Sequence, residues 1–118
     1  MKSDNPIVQK AFAFALRIIK LHRHLVDVHK EYTLSREVLI AGTHIGMHVV
    51  DAVHGESGDS FTNNMALALQ KTSRTEYWLL LIQFAGYLND TEFESIEADR
   101  VELSKMLTSI VKTRRRNA

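Results

Sequence analysis

The sequence has no cysteine, one proline and five glycines among 118 residues. Without thiols, a disulfide framework, a thiolate metal site and a cysteine nucleophile are all excluded, an absence that suits a reducing compartment. So little proline and glycine excludes collagen-like and low-complexity chains and leaves room for long unbroken helices. Long apolar runs are missing too: the best, residues 77–84, is interrupted by Gln83 and is far too short to span a bilayer. Met1 to Pro6 is polar where a signal peptide would be apolar, so a soluble, cytoplasmic protein with no membrane partner is expected. Excess charge is absent as well. Fifteen Lys and Arg oppose 14 Asp and Glu, a formal net charge of +1, so no global field draws the chain to phosphate or anionic lipid. Any basic function must be local.

What is present is one domain's worth of chain, residues 1–118, with 45% hydrophobic residues, enough to bury a core. Ser3-Asp4-Asn5 before Pro6 reads as a helix start, because proline lacks only an N–H that has no intrahelical partner there. Val8, Ala11, Phe12, Ala15, Ile18, Ile19, Leu25 and Val26 then recur at helical spacing, predicting a helix over 6–30 with Lys10, Arg17, Lys20 and Arg23 on its wet face. Thr33 or Ser35 caps a second helix, 35–54, stopped by Gly55. Ser57 or Asp59 caps a third, 59–85, with Gly86 as its stop. Its stripe is Phe61, Met65, Ala68, Leu69, Thr72 and Leu79. Thr91 with Glu94 reads as a capping box opening a fourth, 92–114, whose acidic start and basic end both complement the helix dipole. Four such helices on short connections predict an all-α, antiparallel up-down-up-down bundle.

Two segments lack a wet face. Val38 to Val50 carries no formal charge, and Tyr77 to Ile82 is apolar around its circumference. Both need cover from more than one direction, which points to a homo-oligomer. Gly42 and Gly46, four apart, cost on the order of 2 kcal/mol against alanine and call for a close helix neighbour. Ile40, Gly42, Ile45, Gly46, Val49, Tyr77, Trp78 and Leu81 are therefore the candidates for an oligomer interface or close helix packing.

The chemistry-bearing residues are few. All six histidines fall in the first half, and His44, His48 and Asp51 lie at i, i+4 and i+7, the order of a 2-His-1-carboxylate metal site. The carboxylates that zinc-peptidase and di-iron helices carry beside their histidines are missing, so the expectation is structural imidazoles and no cofactor. Thr43 and His44 point about 100° apart on a helix and form no triad, and no glycine-rich phosphate loop exists, so neither an enzyme nor a small-molecule substrate is expected. Lys112, Arg114, Arg115 and Arg116 form the one dense basic cluster, a candidate nucleic-acid contact that oligomerisation would multiply. Tyr77 and Trp78 could stack bases, though core packing is the simpler role.

Asn5-Pro6-Ile7-Val8 with Phe12, Leu34-Ser35, Gly42-Thr43 with Ile45-Gly46, Asp51-Ala52, Ala68-Leu69, Thr75-Glu76-Tyr77-Trp78-Leu79 and Gly86-Tyr87-Leu88 together resemble the bacterial four helix bundle proteins, also called 23S ribosomal RNA intervening-sequence proteins. The resemblance implies an up-down bundle assembling as a ring-shaped homopentamer, no known enzymatic activity, and structured RNA or a ribonucleoprotein as partner. The chain departs from that family's pattern at Ile40-Ala41, His44, Met47-His48 and Arg74. The alternatives are a protein-interaction scaffold without nucleic acid, and a metal-binding bundle using His44, His48 and Asp51.

Overall fold

The computed structural model describes residues 3–117, which form four helices: α1 (Pro6–Asp27), α2 (Leu34–His54), α3 (Gly58–Phe84) and α4 (Asp90–Arg116). The described residues contain no strand. Each end has a local cause. Asn5 caps α1 by accepting from the Ile7 N–H at 3.2 Å, with Pro6 in the first turn. The helix stops at Asp27, three residues before the expected end, because Lys30 turns through the left-handed region (φ 56°) and the Glu31 N–H returns to the Leu25 carbonyl at 3.0 Å. At the start of α2, Thr33 occupies the cap position without a side-chain bond. Glu31 does that work, its carboxylate accepting from the Ser35 N–H at 3.1 Å while the Ser35 hydroxyl donates to the Glu31 carbonyl at 2.7 Å.

Ser57, not Asp59, caps α3 by accepting from Ser60 N–H at 3.0 Å. The far end of α3 closes as a Schellman turn: Gly86 takes φ +93°, and the N–H groups of Gly86 and Tyr87 donate to the carbonyls of Gln83 and Ile82. The capping box of α4 is Asn89 with Glu92, two residues ahead of Thr91 and Glu94. Asn89 accepts from the Glu92 N–H at 2.8 Å and its own N–H donates to the Glu92 carboxylate at 3.2 Å. Both pairs have the right spacing. The earlier one starts the helix sooner and leaves Asp90 in the first turn, where it accepts from the Gln83 amide at 2.9 Å.

Consecutive helices pack side by side, α4 returns to touch α1 more lightly, and the pairs α1/α3 and α2/α4 lie diagonally. With connections this short, each helix reverses the last, giving an antiparallel up-down-up-down bundle of 46 × 25 × 22 Å. Its centre is Ile18, Leu25, Ile45, Met65, Leu79 and Leu103, all fully buried. The inward stripe of α1 is Ile7, Ala11, Phe14, Ile18, Leu21 and Leu25. Phe12 and Ile19, expected inside, lie 40% and 37% exposed, because α1 offers more apolar residues than one stripe can bury. The buried hydroxyls of Thr72 and Thr75 donate to carbonyls of their own helix, Leu69 at 2.6 Å and Lys71 at 2.7 Å, so burial leaves neither unsatisfied.

Candidate functional site

The basic cluster occupies the last turn of α4 and the residue before it, beyond Val111, the last core residue of that helix. Lys112, Arg114, Arg115 and Arg116 are all exposed. Arg114 folds back, its guanidinium 4.9 Å from the Phe61 ring centroid, a cation–π contact that pins α4 to the start of α3. Lys112, Arg115 and Arg116 form no ion pair among the described residues, so they remain available to an external anion.

Diagonally across the bundle, α2 divides the proposed interface residues in two. Gly42, Ile45 and Val49 face inward and are buried within one protomer. A Cβ on Gly42 would come within 2.8 Å of the Ile18 side chain, so this glycine lets α1 and α2 approach. Gly46 lies opposite Ala11 with its nearest neighbour 3.7 Å from a built Cβ, room enough for a methyl group. Ile40 and Met47 point outward, 38% and 45% exposed, as do Phe12, Leu16 and Ile19 of α1, with Phe12 and Met47 lining one hollow. On α3, Tyr77 and Leu81 are exposed and Trp78 is half-buried against the core. A hollow of about 300 Å³ between α1 and α2 is lined by Phe12, Ala15, Gly46 and Met47. A larger one of about 530 Å³ between α2 and α3 is lined by Ile40, Ala41, Lys71, Arg74, Tyr77 and Trp78.

The histidines do not form one cluster. His22 bonds the Ser35 carbonyl at 3.1 Å, and His29 meets His24 and Tyr87 edge-on. His44 and His48 lie 6.4 Å apart between ring centroids. No group of three His, Asp or Glu side chains among the described residues could hold a metal, so the spacing of His44, His48 and Asp51 does not become a ligand set. Helical spacing places the three on neighbouring positions but leaves each side chain its own direction. Burial, then the Lys71 ammonium and His44, push the His48 pKa below its ordinary value, against a smaller opposite pull from Asp51. Its Nδ1 is buried and unpartnered.

The sequence reading missed Arg100, buried to 6% exposure between α3 and α4. It donates to Glu97 at 2.5 and 2.9 Å and to Glu76 at 2.7 Å, and lies 3.4 Å from the Thr72 carbonyl. The Glu97 hydrogen bond raises its pKa despite burial. Burial pushes Glu97 upward, but the hydrogen bond and charge of Arg100 together with a hydrogen bond to Glu76 outweigh it and hold the carboxyl below its usual range. The signal was legible: Arg100 stands four residues after Ile96 and three before Leu103, inside the apolar stripe.

This four-helix arrangement has relatives. Residues 3–109 match the 23S rRNA-intervening sequence protein family. The chain belongs to that family. A solved structure from Bacteroides thetaiotaomicron, of a protein of unknown function from the S23 ribosomal protein family, is 37% identical with a TM-score of 0.88. The alignment covers 90% of this chain and 98% of that one. Among curated proteins none matches. No helix among the described residues is long and apolar enough to cross a membrane.

Proposed function

We propose that this protein is a non-enzymatic helical bundle of the cytoplasm that assembles into a homopentameric ring and binds RNA or a ribonucleoprotein through the basic end of α4. One observation carries the reading: the large exposed apolar side chains lie on α1, α2 and α3 and none on α4, whereas Lys112, Arg115 and Arg116, unpaired among the described residues, cluster at the end of α4. Covering Met47 and the exposed apolar residues of α1 against another copy leaves Lys112, Arg115 and Arg116 in water. Head-to-tail use of two different faces closes into a ring, and a ring repeats the basic end around its circumference. The stoichiometry of five is what the family resemblance implies. Phosphate contacts from such a repeated patch release counterions, so binding must fall steeply with salt.

The test is fluorescence anisotropy of the purified protein with structured ribosomal RNA and with random RNA, at low and physiological salt. Saturable binding that weakens with salt and disappears when Arg114, Arg115 and Arg116 become Ala is the expected result. No binding at low salt overturns the RNA reading and leaves a protein-interaction scaffold.

A further inference from the structure

We propose that the groove between α2 and α3 holds a nucleotide unit of single-stranded RNA, its base stacked on Tyr77 beside Trp78 and its phosphate on Lys71 and Arg74. The inference rests on the RNA reading above but assigns a second, separate contact. Its starting point is an aromatic left open. Tyr77 is 58% exposed, while its ring meets Trp78 edge-to-face at 5.3 Å and 71°, a geometry that leaves a ring face free.

The cations follow from helix register. Lys71, Arg74 and Trp78 stand at i, i+3 and i+7 on α3, one face of the helix, and Arg74 and Tyr77 are three apart. Neither Lys71 nor Arg74 forms an ion pair among the described residues, so both cations are left for an anion supplied from outside. Opposite them, Ala41 and Ile40 of α2 make an apolar floor, and the small alanine gives the groove its depth. At about 530 Å³ it falls within the size range of small-ligand sites.

A stacking platform with cations alongside is the chemistry that single-stranded nucleic acid uses, because every base has a π-face and every nucleotide brings a phosphate. Glu37 adds an acceptor-only group to the same groove, suited to a base edge that presents N–H donors, as guanine does. An apolar helix from a second copy fits less well, since it would desolvate Lys71 and Arg74 without pairing them. Duplex RNA fits poorly too, its bases being stacked on one another already.

Trp78 is the only tryptophan in the chain, so its emission reads this groove directly. The full-length protein is titrated with a single-stranded RNA of about eight nucleotides, labelled for anisotropy, and with its duplex form. Expected are saturable quenching of Trp78 by the single strand, little by the duplex, and roughly tenfold weaker binding in both Tyr77→Ala and Arg74→Gln. Both side chains are exposed, and circular dichroism verifies that the variants fold. A rise in anisotropy with unchanged Trp78 emission, and no effect of Tyr77→Ala, overturns the groove while leaving RNA binding by α4 intact. No anisotropy change at low salt overturns both readings. Emission that responds to dilution of the protein and not to RNA assigns the groove to a second copy and overturns the proposal.

Discussion

The outward faces of α2 and α4 answer the same core with opposite chemistry. Along the α1/α4 seam the surface is finished for water: Lys10 meets Glu102 at 2.7 Å, and Arg17 meets Asp99 at 2.7 Å and the Ser95 carbonyl at 2.9 Å. Such exposed pairs contribute about 0–1 kcal/mol each, so they keep the seam soluble more than they hold it shut. The α2 side has nothing comparable. Ile40 and Met47 stand in water, as do Phe12, Leu16 and Ile19 of α1, and between Val38 and Val50 no formally charged residue intervenes. Scattered exposed apolar residues are ordinary, but here the large ones are confined to α1, α2, α3 and the α1–α2 connection, and none lies on α4. The difference is that the outward side of α4 is finished with ion pairs and that of α2 is left apolar, the contrast on which the proposed assembly rests.

The sharpest way to break that contrast is to put the same charge on both faces. Met47→Glu together with Leu16→Glu is expected to convert the proposed assembly to 13.5 kDa monomers by light scattering, with helicity retained, whereas Ala98→Glu on α4 should leave the mass unchanged. A wild-type protein already monomeric at micromolar concentration would dismiss the contrast as unrelated to assembly. Within the protomer the largest effect belongs to the α3/α4 side. Arg100→Ala leaves Glu97 without its partner and opens space under Thr72, and should lower the unfolding free energy in urea by about 3 kcal/mol. Lys10→Ala, on the wet seam, should cost under about 1 kcal/mol.

On the α1/α2 side the two helical glycines separate. Gly42→Ala drives a methyl group to 2.8 Å from Ile18 and should destabilise by about 1–2 kcal/mol even after its gain in helix propensity. Gly46→Ala sets its methyl group in ordinary van der Waals contact with Ala11, about 3.7 Å away, and should be neutral or stabilising by up to about 1 kcal/mol, read from the same urea curves. The smallest effect is pH. Because the folded pKa of His48 lies below the ordinary 6.5, the unfolded chain takes up the proton more readily. Its contribution is present above pH 6.5 and is lost as pH falls through the folded value. His48→Gln should flatten this slope, since it removes the group that titrates against Lys71 and His44; an unchanged slope would assign the acid sensitivity elsewhere.

Much of the fold was written locally. Asn5-Pro6, the polar break at Ser57 and the stop at Gly86 each act through backbone groups within a few residues, so each was placed from the sequence. The capping box slipped from Thr91/Glu94 to Asn89/Glu92 because two equally spaced pairs compete, and local pattern alone does not rank them. Phe12 and Ile19 were read as core because periodicity counts apolar residues without knowing how many stripes the neighbours can cover. Of the candidate site, the basic run was legible as a run, but its division into Arg114, spent on Phe61, and three free cations depends on the start of α3 arriving beside it.

By itself the sequence determined four helices, the start of α1, the stops of α2 and α3, their order and their family, because these depend on spacing, backbone chemistry and short connections. The tertiary structure decided the rest. It set which face of α1 turns inward, made Gly42 a close approach and Gly46 a site with room for a methyl group, buried Arg100 between two carboxylates, and opened a groove beside Tyr77. Each of those outcomes needs two helices at a fixed distance and rotation, and that relation is set by packing across the bundle, not by neighbours along the chain.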